Sequence, residues 1–281
     1  MRGNPRPVAQ PGGQDSLQQW YADLPIVTKI LFTGTFLQGA MVSFGIINPA
    51  NILMIWDAVT SNFEIWRIFT NFMYAGKFSF PFAMHLYVLY ENSLNYERNP
   101  FNTGAGGSSA DYLYMIVIGM GILLVVDYMQ PMFALSEPLL YMIMYVWSRK
   151  SPDELRNIFG FQFKSLYLPW VYIAIRMIMG GDIVSPLFGI GTGHMYFFLI
   201  EVLPGTPSGD TMGNLIRTPQ WAIRLVEIMT ARTHPRFPAS SSGASAGSNT
   251  TAARGGQAAG ANPTPPQNRY NWGRGQTLGR N

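Results

Sequence analysis

Apolar residues in this chain gather into stretches long enough to matter to a bilayer. Six stand out, over residues 26–47, 78–94, 113–129, 131–147, 166–180 and 187–203. A spanning helix needs about 20 mostly apolar residues, with about 17 as the lower limit. The second, fourth and fifth are short and contain Pro, and a short apolar run also fits a buried helix of a soluble fold. Residues 48–67 carry Ile52, Leu53, Ile55, Trp56, Phe63 and Trp66 with few charges. That is too apolar for a solvated loop and too irregular for a further span, so it predicts an amphipathic hairpin half-sunk in the outer leaflet.

Two flanking segments read as surface helices. Asp15-Ser16-Leu17-Gln18-Gln19-Trp20-Tyr21 offers Asp15 as a cap and an aromatic pair at headgroup depth. Thr218-Pro219 looks like a second helix start, after which Trp221, Leu225, Val226 and Met229 recur on one face. That helix is expected on the cytosolic leaflet. From Pro235 to Gln267 the chain is Gly, Ala, Ser, Thr and Pro, a composition that cannot bury a core and predicts a disordered tail.

Composition agrees with a membrane class. Charged residues make up 12% of the chain, about half the share of a soluble protein. The absence of cysteine excludes disulfides and thiolate metal sites. The N-terminus shows no cleavable signal peptide pattern. The net charge of +4 sits mostly outside the apolar stretches, which marks topology and not nucleic-acid binding. Arg149, Lys150, Arg156 and Lys164 follow the fourth stretch, and Arg217, Arg224, Arg232 and Arg236 follow the sixth. Six crossings put these on the same side as Arg2 and Arg6, and the positive-inside rule makes that side cytosolic, both termini included. Arg67 and Lys77 are exceptions.

Several residues invite a sharper reading. Arg176, Asp127, Glu137 and Glu201 lie in or near the apolar stretches, where charge faces a cavity or a partner. Arg176 could pair with Asp127 or with Glu137, as part of a wet cavity or as a structural ion pair. Trp66-Arg67 reads as an interfacial anchor, or as a brace holding the outer loop to the helices. Gly189, Gly191 and Gly193 open the sixth stretch, and glycines spaced by four let two helices approach closely. At the far end, Asn271-Trp272-Gly273-Arg274-Gly275-Gln276-Thr277-Leu278-Gly279 sets one aromatic and one aliphatic anchor around two glycines. Such a peptide suits docking on another protein.

An ordered series of segments resembles the Derlins, rhomboid-like proteins of the endoplasmic reticulum membrane. It comprises Trp20-Tyr21 before Leu24-Pro25, Asn48-Pro49-Ala50, Glu64-Ile65-Trp66-Arg67, Ala110-Asp111-Tyr112-Leu113, Tyr145-Val146-Trp147, Tyr167-Leu168-Pro169-Trp170, Gly193-His194-Met195-Tyr196-Phe197-Phe198 and Thr218-Pro219-Gln220. The tail peptide resembles the SHP box, by which adaptors bind the AAA ATPase p97, and with Thr218-Pro219-Gln220 it is most similar to the first animal Derlin subtype. The resemblance implies an all-α membrane protein: a rhomboid-like bundle of six transmembrane helices with a disordered cytosolic tail. It implies a role in endoplasmic-reticulum-associated degradation, retrotranslocating misfolded proteins, with no cofactor. Implied partners are p97, a membrane ubiquitin ligase and its adaptors, misfolded clients, the bilayer and further copies of the chain. The expected segments are 1–24 (cytosolic, with the surface helix), 25–204 (membrane domain), 205–235 (membrane-surface segment), 236–268 (linker) and 269–281 (p97-binding peptide, anchored by Trp272, Gly273, Gly275 and Leu278).

The competing reading is an intramembrane serine protease. Rhomboid proteases carry Gly-x-Ser-Gly on the fourth helix and His on the sixth, and Ser136 and His194 fall in those places. The surroundings differ. Ala134 and Glu137 replace the glycines, Pro138 removes a backbone donor nearby, and Glu137 opposes a developing oxyanion. His85 stands where the proteases have an oxyanion Asn, and Pro81 where they have a His. An inactive protein is expected, with His194 as a packed, hydrogen-bonded residue.

Overall fold

The computed structural model describes residues 13–101, 107–158, 160–202 and 218–233. Ten α-helices are described: α1 (Gly13–Ala22), α2 (Ile26–Ser43), α3 (Trp56–Ser61), α4 (Arg67–Thr70), α5 (Phe80–Arg98), α6 (Ser108–Met129), α7 (Ser136–Lys150), α8 (Leu168–Ile178), α9 (Val184–Phe197) and α10 (Gln220–Thr233). A π-helical turn, Phe198–Val202, extends α9. Helices α2 and α5 to α9 overlie the six apolar stretches. Two, Ile26–Ser43 and Ser108–Met129, are long and apolar enough to cross a membrane by themselves.

The prolines that weaken the pattern mark helix starts. Pro81 and Pro169 are the second residues of α5 and α8, and Pro138 is the third residue of α7. There the missing N–H is one that no helical carbonyl would have accepted. Helix α7 is the axis of the bundle: twelve of its fifteen residues are buried, so it meets neighbours all round. Helices α5, α6, α8 and α9 all pack on it.

The expectation of an all-α fold needs one correction. Between α7 and α8 lies a small antiparallel hairpin, β1 (Leu155–Ile158) and β2 (Phe161–Lys164), pairing Leu155 with Lys164 and Ile158 with Phe161. Gly160 at its turn takes φ of 88°, which glycine tolerates without steric cost. Arg156 fixes the hairpin by pairing with Glu91 at 3.1 Å and Glu154 at 3.0 Å while stacking 4.4 Å over the Trp147 ring.

Three further expectations shift. The outer segment, expected as a hairpin, is a 3₁₀ turn (Pro49–Asn51) followed by the short helices α3 and α4. Helix α1 is described from Gly13, which places Asp15 within the helix. Helix α10 is not only a leaflet helix, because it docks on α6 and α2. Thr218 donates its hydroxyl to Asp111 Oδ1, Trp221 meets the Tyr114 ring at 6.5 Å, and Ala222 is fully buried. Trp221, Leu225 and Ile228 remain exposed.

One element has a remote cap. Pro25 precedes α2 and offers no side-chain acceptor. The fully buried Glu97, from the end of α5, supplies it, accepting from Val27 N (3.0 Å), Thr28 N (2.7 Å) and the Thr28 hydroxyl (2.7 Å). A carboxylate at a helix N-terminus satisfies orphan donors and complements the helix dipole.

Candidate functional site

Helices α5 and α8 both pack on α7, and the notch between them forms a cavity of about 160 Å³. Its lining includes His85, Glu137, Tyr141, Tyr172 and Arg176 among apolar side chains. Arg176 pairs with Glu137 through its Nη2, which decides between the two partners the sequence leaves open. Asp127 is engaged elsewhere. The Arg176 side chain needs the glycines that follow α8. A Cβ on Gly181 would stand 2.5 Å from Arg176 Cγ, and Gly180 turns with φ of 77°. Arg176 Nε also donates to the Asp182 carbonyl at 2.9 Å. In the loop before α9, the backbone N–H and hydroxyl of Ser185 and the N–H of Val184 hold the Asp182 carboxyl down to about 2. Across the cavity, His85 Nε2 is buried without a hydrogen-bond partner.

The outer loop is tied down by Trp66 and Arg67. Arg67 is buried, with 5% of its surface exposed. It donates to the carbonyls of Ala50 (2.6 Å) and Leu53 (2.7 Å) and pairs with Glu64. Its charge is therefore neutralised locally, which explains why it breaks the positive-inside pattern. Trp66 Nε1 donates to the Asn51 carbonyl at 3.2 Å. A second set of bonds joins this loop to the turn between α6 and α7. Met54 N donates to Phe133 O at 2.8 Å, Leu135 N to Asn71 O at 3.3 Å, and Trp56 Nε1 to Asp127 Oδ2 at 2.9 Å. Asp127 Oδ1 also accepts from Met132 N at 2.7 Å. Phe133 is held at φ of 64°, a region bulky residues rarely occupy.

Gly189 and Gly193 bring α9 against the backbone of α7. A Cβ on Gly189 would lie 2.3 Å from the Pro138 carbonyl oxygen, and one on Gly193 would lie 3.0 Å from that of Met142. Both positions advance by four residues together, so α7 and α9 run in the same direction, with α8 returning the chain between them. Gly191 faces open space.

Ser136 and His194, the pair of the competing protease reading, have separate hydrogen-bond partners. Ser136 sits at the first position of α7 and donates its hydroxyl to the Tyr74 carbonyl at 2.5 Å. His194 Nδ1 instead shares a hydrogen bond of 2.8 Å with the Tyr145 hydroxyl. Tyr145 is nine residues further along α7, roughly 13 Å at 1.5 Å per residue.

The profile of the Der1-like family matches residues 24–220 of this chain. The chain belongs to the Der1-like, or Derlin, family. Curated relatives agree. It is 33% identical over 205 residues to the Probable derlin-2 homolog of Dictyostelium discoideum, covering 70% of this chain and 77% of that protein. It is 32% identical over 212 residues to Derlin-1 of Arabidopsis thaliana, covering 74% and 76%, and 33% over 201 residues to Derlin-2.2 of the same plant, covering 67% and 81%. Relatives of both numbered subtypes match at these identities, which do not separate them. Derlins are multi-pass membrane proteins of the endoplasmic reticulum, generally non-catalytic and rhomboid-like, and membership implies a general role in endoplasmic-reticulum-associated degradation.

Trp272, Gly273, Gly275 and Leu278 lie outside the described residues. Of the described features, sequence reasoning misses the Glu97 cap and the Arg156 cluster, both joined from residues far apart in the chain. It notes His85 as a departure from proteases but gives no sign of an unpartnered nitrogen.

Proposed function

We propose that this Derlin retrotranslocates misfolded proteins from the endoplasmic reticulum to the cytosol, with client segments entering the bundle between α5 and α8. The observation that carries the reading is the cavity there, where the Glu137–Arg176 ion pair stands among apolar side chains. Intramembrane charge facing a cavity is the usual mark of a passage for polar matter. The chain crosses the bilayer six times with both termini cytosolic. Its segments are those of the sequence reading, and the tail resembles that of the first animal subtype. Copies of the chain assemble with a membrane ubiquitin ligase and its adaptors, and p97 extracts the client.

The tail tip, residues 269–281, is the p97 contact. Trp272 and Leu278 each fill a pocket, Gly273 and Gly275 allow close backbone approach, and Arg269, Arg274 and Arg280 complement an acidic groove. A short peptide loses ordering entropy on binding, so affinity is roughly micromolar, raised by avidity when several copies meet one hexamer. Trp272→Ala with Leu278→Ala should abolish p97 pull-down, whereas replacing residues 240–260 with a Gly/Ser linker of equal length should not. Recruitment that survives the tip change and fails on the linker change places the contact elsewhere in the tail.

A further inference from the structure

Near the end of α7, two basic side chains share one hydroxyl. Arg149 Nε donates to the Tyr145 hydroxyl at 3.0 Å, and His194 Nδ1 meets the same oxygen at 2.8 Å. The Arg149 guanidinium also lies 5.1 Å over the Tyr145 ring. Tyr145 is buried, whereas Arg149 and His194 are exposed. A guanidinium only donates, so the single hydroxyl proton goes to His194 Nδ1 and the imidazole carries its own proton on Nε2. The groups left over, the two Arg149 Nη atoms and His194 Nε2, are therefore all donors. Among the described residues no carboxylate pairs with Arg149. The surface around the pair is apolar. The exposed residues of α9 are Val184, Leu187, Gly191, His194 and Met195, and Phe198 follows on the same face. His194 is the one polar residue in that row, and Gly191 leaves open space within it.

We propose that Arg149 and His194 bind the phosphate of an anionic phospholipid in the leaflet where α7 ends, with its acyl chains along the exposed face of α9. A set of donors beside one uncompensated positive charge calls for a ligand that accepts and is negative. A phosphodiester meets both conditions, and the planar guanidinium fork matches two of its oxygens. The apolar row on α9 selects an amphiphile over a free anion. Arg149 is one residue from the end of α7, at the height where a long basic side chain reaches the headgroups. A zwitterionic choline lipid fits less well, because its cation finds no partner. The nearest carboxylates in the chain, Asp153 and Glu154, are held by Lys164 and Arg156, and Arg149 itself covers the Tyr145 ring. Tyr145 is the positioning residue: it fixes Arg149 and sets which nitrogen of His194 carries the proton. Client entry between α5 and α8 plays no part in this binding.

The test uses the full chain in a mild detergent, with lipid retention read by native mass spectrometry. Phosphatidylinositol should be retained at about tenfold lower added concentration than phosphatidylcholine with the same acyl chains. Arg149→Gln should remove that preference and His194→Phe should shrink it, neither changing the retention of phosphatidylcholine. Arg149→Lys should fall between the parent and Arg149→Gln, since an ammonium keeps the charge and loses the fork. Inorganic phosphate should leave the bound lipid in place. Equal retention of the two lipids by the parent overturns the proposal. A preference unchanged in Arg149→Gln or in His194→Phe, at the parent's melting temperature, overturns this site. A full preference in Arg149→Lys overturns the hydrogen-bonded geometry in favour of charge alone. Release of phosphatidylinositol by inorganic phosphate overturns the lipid as occupant in favour of a free anion.

Discussion

Adding one methyl group at Gly189 should loosen the bundle more than the same change two or four residues along. A Cβ at Gly189 meets backbone, at 2.3 Å from the Pro138 oxygen and 2.9 Å from its carbonyl carbon. Backbone cannot rotate aside, so α9 must move away from α7 by roughly 1 Å to restore ordinary contact distance. Overpacking of this kind costs about 1–3 kcal/mol, against a gain of about 1 kcal/mol from replacing glycine by alanine in a helix. Gly189→Ala should therefore lose up to about 2 kcal/mol. At Gly193 the contacts begin at 3.0 Å and include the Tyr145 ring, so the two effects nearly cancel. At Gly191 nothing lies within 4 Å, so alanine should be neutral or stabilising by up to about 1 kcal/mol. The assay is thermal unfolding of the three purified variants in one detergent. The order of melting temperatures should be Gly191→Ala highest, then Gly193→Ala, then Gly189→Ala. A Gly189→Ala protein as stable as its parent, or a Gly191→Ala protein less stable than Gly189→Ala, would refute the close-contact argument.

Two other changes probe bonds made over long chain separations. Glu97→Ala strands three donors at the start of α2 and should cost about 2–3 kcal/mol, whereas Glu97→Gln, which keeps an acceptor, should cost about 1 kcal/mol; equal melting temperatures for the two would show that the cap is unimportant. Arg67→Ala removes bonds to two carbonyls and a half-buried carboxylate partner, and should cost about 2–3 kcal/mol. Hydrogen exchange should rise over residues 48–71, client degradation should fall and p97 pull-down should persist. Unchanged exchange in that stretch would remove the brace.

Much of this fold can be read along the chain because apolar length is a local property. The six apolar stretches and the six helices on them coincide to within a few residues. The misjudged parts depend on neighbours. Pro81, Pro138 and Pro169 lower the score of three stretches, yet each sits where a helix begins and loses no hydrogen bond. The β1–β2 hairpin has strands of four residues, too short for an alternating pattern to register, and Arg156 holds it from below through Glu91 and Trp147. The helix after Thr218 shows its apolar stripe in sequence. Its docking on α6 and the full burial of Ala222 do not, because a buried alanine looks like alanine anywhere.

The site divides along the same line, and the division bears on how it works. Arg176 and Glu137 draw notice because charge is rare in apolar stretches, but their pairing depends on the relative rotation of α7 and α8. His194 and Ser136 draw notice as residue types, and only depth along α7 separates them. The outer brace then connects to the cavity through covalent neighbours. Arg67 holds Ala50 and Leu53, and Met54 holds Phe133. Asn71 and Tyr74 hold Leu135 and Ser136. The next residue is Glu137, the acid of the cavity. A helix start fixed at Leu135 and Ser136 has little freedom left at the residue that follows. The bonds of Arg67 and those that hold the first residues of α7 thus meet in one outer loop, residues 50–54 and 67–74.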